Sequence, residues 1–172
     1  MAKLTAELFV TLDGVVSSPD RWHGPFWCEE MGAETEALLA ASEVMVLGRN
    51  TYDEHVGYWP TADGTMADLM NGIAKRVVTS SDEALGWANS ARIAVDDVRR
   101  LREKSDVVIT GSVALVKTLL ADGLVDALHL IVDPITVGEG TRWFDGVQPT
   151  EWKAAATTPY PTGAIGVTYV KA

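Results

Sequence analysis

Three short stretches of this chain place small polar residues, and in one case an arginine, directly after apolar runs. "VMVLGRNTY" ends its run at Gly48 and continues with Arg49, Asn50 and Thr51. Glycine lets a backbone come close to a bound group, Asn or Thr can cap a helix, and a guanidinium offers a planar fork of donors. That combination suits a phosphate monoester. After "KRVV" come Thr79, Ser80 and Ser81, whose hydroxyls can accept from or donate to a ribose or its phosphate. After "DVVIT" come Gly111 and Ser112, then a run with helical spacing that begins at Val113 and Ala114. The free N–H groups and positive end of such a helix would face the strand tip and seat a pyrophosphate. None of the three is the G-x-G-x-x-G fingerprint of the Rossmann fold. Each alone also reads as a helix cap, a loop or a surface ion pair. Their repetition at the ends of buried strands points to a nucleotide site.

The second group of candidates lies in the loop "VVSSPDRWHGPFW", Val15 to Trp27. Trp22, Phe26 and Trp27 offer flat apolar area for stacking on a ring, and His23 is suited to donating a proton near neutral pH. The same aromatics serve equally well to close a core. Asp13 with Gly14 is a turn signal. His129 reads as a core histidine, and His55 and Tyr58 as residues of a cofactor mouth or of the surface. No His and carboxylate set has metal spacing, and no Ser or Cys carries a nucleophile motif.

The elements that must position these residues follow from periodicity. Leu4, Ala6, Leu8, Val10 and Leu12 alternate as one face of a strand. A helix is expected over about Glu30 to Ser42, a strand at "EVMVLG", a short helix at "TMADLMNGIA", and strands at "KRVVTSS" and "ARIAV". A charged helix opened by Asp96, the strand before Gly111, an amphipathic helix stopped by Gly123 and the strand "VDALHLIVDPITV" come next. "EWKAAATT" and "IGVTYVK" have no helix between them and predict an antiparallel hairpin added to a mostly parallel sheet. The expectation is one α/β domain over residues 1–172.

Composition limits the partners. At 172 residues with a formal charge of −10, the chain repels phosphate polymers and anionic lipid, which argues against nucleic acid and membrane surfaces. The single cysteine, Cys28, excludes an internal disulfide framework. The opening residues lack the apolar core of a signal peptide, and no stretch approaches a membrane span. A soluble, cytoplasmic protein is expected.

"FVTLDGVVS", "VMVLGRNTY" and "VVITGSVALVKTLLADGLVDALHLIVDPITVGEGTRWF" together resemble the dihydrofolate reductase fold. The resemblance is closest to the family that includes the C-terminal reductase domain of riboflavin-biosynthesis deaminase/reductases. It implies a three-layer α/β fold and an NADPH-dependent reductase of a small planar heterocycle: a pterin, a flavin precursor or a ribosylamino-pyrimidine. Carried over, Arg49, Asn50 and Thr51 would hold the 2′-phosphate side, with Gly48 at the turn. Thr79, Ser80 and Ser81 would lie beside the adenosine ribose. Gly111, Ser112, Val113 and Ala114 would receive the pyrophosphate. Folate reductases carry a substrate-gripping acid on the first helix, and ungapped spacing puts Gly32 there. Glu29, Glu30 and Glu34 lie close enough for a helix shift to bring one in, Glu30 being the one assigned to that role, with Asp13 and His23 as further catalytic candidates. The departure argues against dihydrofolate itself as substrate. Trp22, Phe26 and Trp27 are expected to line the substrate side. The missing acid also supports an alternative, a nucleotide-binding protein with this fold and little or no turnover. The resemblance implies a homodimer, with "DALHLIVDPI" as a packing edge.

Overall fold

The computed structural model describes residues 2–172; Met1, the first residue of the expected domain, lies outside them. The eight strands are β1 (Leu4–Thr11), β2 (Val44–Gly48), β3 (Ala74–Val78), β4 (Ser90–Ile93), β5 (Val107–Ile109), β6 (Ala127–Asp133), β7 (Trp152–Pro159) and β8 (Ile165–Lys171). They form one sheet in the order β4-β3-β2-β5-β1-β6-β8-β7. The first six are mutually parallel. β8 runs antiparallel to β6, and β7 antiparallel to β8, which is the expected C-terminal hairpin.

Among the described residues the five α-helices are α1 (Glu29–Ala40), α2 (Arg49–Val56), α3 (Thr65–Gly72), α4 (Val95–Arg102) and α5 (Val113–Ala121). Leu4, Ala6, Leu8 and Val10 of β1 meet Val98 of α4 and Leu115, Val116 and Leu119 of α5 on one face of the sheet. On the other face Met45, Leu47 and Val77 pack under Leu39 of α1, Tyr52 of α2 and Met70 of α3. Two helical layers therefore enclose the sheet. Both faces of β1 are covered, so Thr5, Glu7 and Thr11, which alternate with its apolar residues, are buried as well.

Several boundaries differ from the sequence expectation. α2 begins at Arg49 with Gly48 as its N-cap, so Asn50 and Thr51 lie in its first turn and do not cap it. α4 starts at Val95, one residue before Asp96, and the Asp97 carboxylate accepts the Ala94 N–H at 3.0 Å. "DALHLIVDPI" is not an edge, because β8 pairs along the side of β6 away from β1. The open edges are β4 and β7. Among the described residues no helix is long and apolar enough to cross a membrane.

The segment after β1 is fastened to the segment after β6. Asp13 accepts from the Thr11 hydroxyl at 2.6 Å and from the Gly138 and Val137 N–H groups at 2.8 and 3.3 Å, and its carbonyl accepts from Arg142 Nε at 2.9 Å. Val16 N–H donates to Thr141 O, and Thr141 N–H to Ser17 Oγ, both at 2.9 Å. Further along, Trp22 Nε1 donates to Ser17 O at 3.1 Å and the Thr162 hydroxyl donates to Phe26 O at 2.7 Å. Together these bonds hold the loop against the body of the sheet.

Candidate active site

Parallel pairing brings the C-terminal tips of β1, β2, β3 and β5 to one edge of the sheet. β5, formed late in sequence, inserts between β1 and β2, and this reversal of strand order opens a crevice at the tips. Gly48 N–H donates to Gly111 O at 3.2 Å, fastening the ends of β2 and β5 together. A Cβ on Gly48 would lie 2.4 Å from Ser112 Oγ, and one on Gly111, at φ +148°, would lie 2.8 Å from Thr51 Oγ1. Only glycine fits either position at this separation. Ser112 caps α5, its hydroxyl oxygen accepting from Leu115 N–H at 3.4 Å, and the Gly111–Ser112 peptide bond is cis.

A cleft of about 1150 Å³ lies over these tips. Asn50, Thr51, Gly111, Ser112 and Val113 line it on the β2 and β5 side. Glu7 and Phe9 of β1 with Met31, Gly32 and Thr35 of α1 form its opposite part, and Ser17 to Asp20 and Trp27 border it from the loop. His55, Tyr58, Trp59 and Met66 lie along its remaining wall, which places His55 and Tyr58 at the cleft. The cleft thus gathers Asn50 and Thr51 with Gly111, Ser112 and Val113, strand-tip residues from two of the three stretches expected to meet a nucleotide.

Arg49 stands at the start of α2 without lining the main cleft. Its Nε donates to both Asp53 oxygens at 2.9 Å and its Nη2 to Glu83 at 2.8 Å, while the buried Nη1 has no partner among the described residues. Glu83 links Arg49 to the turn after β3. There Thr79 Oγ1 accepts from Ser81 N–H at 3.1 Å, and Ser81 Oγ accepts from Glu83 N–H at 3.2 Å. Thr79, Ser80 and Ser81 are therefore beside Arg49 but outside the cleft, with two of their hydroxyl oxygens engaged in the turn. Ala114 is exposed in the first turn of α5.

The expected catalytic residues are not brought to the cleft wall. Glu30 is exposed on α1, where the helix turns it away from the sheet. Asp13 is committed to the clasp with Val137 and Gly138, and these hydrogen bonds, first of all that from Thr11, hold its pKa down to about 2. His23 stacks on Phe9 with ring centres 3.8 Å apart, and its Nδ1 lies 2.8 Å from the fully buried Asp133. Trp22 is buried within the loop, and Phe26 packs on Met31 and Ile131. Of the three aromatics only Trp27 borders the cleft, 55% exposed and resting against Gly32, where a Cβ would meet its ring at 3.3 Å.

Glu7 is the carboxyl that the sequence reading passed over. It is 5% exposed, sits in the cleft wall and accepts from the Thr35 hydroxyl at 2.9 Å. Burial pushes its pKa up to about 7, against the Thr35 hydrogen bond and with the help of the Glu34 charge. Such a group exchanges its proton close to neutral pH. The visible signal was an acid inside the apolar strand "LTAELFV". His55 is held neutral, since burial lowers its pKa to about 4.

A three-layer sandwich with this strand order and a crevice at the parallel tips defines the dihydrofolate reductase-like fold. Within it, the chain belongs to the RibD C-terminal domain family, which it matches over residues 2–165. It is 24% identical to the uncharacterized protein YyaP of Bacillus subtilis (strain 168), over 97% of this chain and 94% of YyaP. A protein of Shewanella sp. PV-4, described as a riboflavin biosynthesis protein, superposes with a TM-score of 0.80 at 16% identity, covering 100% of this chain and 99% of that one. Dihydrofolate reductase from Enterococcus faecalis, complexed with NADP(H) and RAB-propyl, gives 0.68 at 21% identity over 98% and 96% of the two chains. At these identities the structural likeness is one of fold.

Proposed function

We propose that this chain is a single reductase domain that uses NADPH to reduce a small planar heterocycle. The observation that carries the reading is the joined tips of β2 and β5. They bring a glycine cradle, Thr51 and the capped start of α5 onto the cleft that also holds Glu7 and Phe9. The cradle fits a dinucleotide pyrophosphate because Gly111, which lines the cleft, excludes a side chain and leaves backbone as the surface a phosphate meets, while the buried Gly48 lets Ser112 pack close. Gly111, Ser112, Val113 and Ala114 would hold it there, with Asn50 and Thr51 alongside. Arg49 and the Thr79, Ser80 and Ser81 turn lie on the side suited to the adenosine ribose and its 2′-phosphate. The bound nicotinamide would supply the hydride.

The chain's own residues have three tasks. Phe9, Met31 and Trp27 offer apolar surface against which a flat acceptor aligns and from which water is displaced. Gly32 leaves room for the Trp27 ring. Glu7 holds a proton near neutral pH and takes the role assigned from sequence to Glu30, with Thr35 fixing its carboxyl. His23 supports Phe9 from behind the cleft wall through the Asp133 pair. The alternative of a binding protein without turnover rested on the missing acid at Gly32, and Glu7 removes that motive.

Arg49→Ala tests the cofactor assignment. Loss of a charge-assisted contact to a phosphate is expected to weaken NADPH roughly tenfold to a hundredfold and leave NADH within about twofold. Titration followed by reduced-nicotinamide fluorescence reads both constants. Equal weakening of the two cofactors would remove Arg49 from the 2′-phosphate site.

A further inference from the structure

The charged side chains of the cleft are all of one sign. Glu7, Asp20, Glu36, Glu54 and Asp63 line it, and no Lys or Arg does so among the described residues. None of these carboxylates takes part in an ion pair among the described residues; those present join other groups. Arg49, the nearest strand-tip cation, is held by Asp53 and Glu83, and His55 stays neutral. Glu7 provides a second observation beyond the rim charges. It is buried, faces the cleft, and bonds to Thr35 through Oε1 while Oε2 has no hydrogen-bond partner among the described residues.

We propose, resting on the reductase reading above, that this site selects an uncharged or cationic planar acceptor and rejects rings that carry phosphate or carboxylate groups. The surfaces suited to an anion, the start of α5 and the backbone of the glycine cradle, lie on the side assigned to the cofactor. An acceptor seated against Glu7 and Phe9 directs its substituents toward Glu36, Glu54 and Asp63 or toward Asp20. A phosphate there meets several unpaired carboxylates inside a crevice that focuses their field. A protonated amine meets those carboxylates together with the Trp27, Tyr58 and Trp59 rings, whose faces attract cations. Among the acceptor types expected from sequence, phosphorylated ribosylamino-pyrimidines are thereby disfavoured, and unphosphorylated pterin- or flavin-type rings favoured.

The test uses matched pairs that share a ring and differ in charge. Riboflavin is compared with riboflavin 5′-phosphate, and 2,4-diaminopteridine with the same ring bearing a benzoylglutamate tail, each titrated calorimetrically into the full chain with saturating NADP⁺. The uncharged member should bind about tenfold or more tightly at low salt, with the gap narrowing as ionic strength rises. The triple variant Glu36→Gln, Glu54→Gln, Asp63→Asn should bring the paired constants to within about threefold. Binding of the anionic member as tightly as its partner would overturn the proposal. So would binding of neither member of both pairs, or a gap that the triple variant leaves unchanged. NADP⁺ binding is measured first and on its own, so failure of the cofactor reading is separated from failure of charge selection; the ring pairs are titrated in either case.

Discussion

Glu7→Gln is expected to stabilise the protein by about 3 kcal/mol at pH 8 while lowering turnover roughly a hundredfold or more. The carboxyl lies in the β1 row that faces α1, with Glu34 and Thr35 above it and His129 opposite it in the β1–β6 register. Burial raises its pKa from an ordinary 4.5 to about 7. As pH rises through this window, the unfolded chain has released the proton while the folded protein still holds it. Stability contributed by this group is therefore greatest below about pH 4.5, falls between there and about pH 7, and levels off above. Glutamine resembles the protonated acid at all pH values. Wild type and variant should coincide at pH 4 and separate progressively toward pH 8, in urea unfolding at fixed temperature. Parallel stability curves across that range would show that Glu7 ionises as an exposed acid does. The same substitution removes the dissociable proton, and a stability gain at the expense of rate is the pattern expected of a strained active-site group.

Lys75→Met is expected to destabilise the fold by about 3 kcal/mol or more, the larger of the two effects on folding at neutral pH. Lys75 is fully buried, and its ammonium donates to the Met70, Asn71 and Ile73 carbonyls at 2.7, 3.2 and 2.9 Å. It also lies 4.3 Å from the centre of the Trp87 ring. Burial lowers its pKa to about 8, which still leaves the charge in place at pH 7. Methionine fills similar volume but donates nothing, so the Met70 and Ile73 carbonyls lose the ammonium donor, while Asn71 O keeps the Asn89 amide at 3.1 Å. The effect should reach the cleft, because Met70 lines it and Trp87 packs on Tyr52 and His55. A shift in urea midpoint worth less than about 1 kcal/mol would mean that the end of α3 rearranges to satisfy itself.

Short apolar runs bounded by turn or small polar residues made the parallel strands legible, because burial demands that pattern regardless of detail, and the lack of a helix between the last two runs made the C-terminal hairpin legible. The nucleotide-side candidates were legible for the same reason, being anchored to strand ends. Glu7 was not. Alternation along β1 reads as one buried and one open face, whereas α1 closes over the second face and buries the acid that alternation would leave in water. The start of α2 was legible from the small polar residues after Gly48, but its extent was not, because "RNTYDEHV" is polar and buries only Tyr52, so no apolar stripe marks it. The assignment of "DALHLIVDPI" to an edge failed because strand order depends on pairing between distant segments, and apolar content alone does not reveal which neighbour covers a strand.

The fastening of the loop after β1 bears on how quickly the cleft fills. Asp13 to Ser17 is bonded to the segment after β6, His23 is held by Asp133, and Phe26 by Thr162. A border secured at successive points forfeits little conformational freedom when a ligand arrives, so its ordering subtracts little from affinity. Ligand association should then be a single kinetic phase whose rate rises linearly with concentration, set by diffusion and charge, with no plateau from a slow rearrangement.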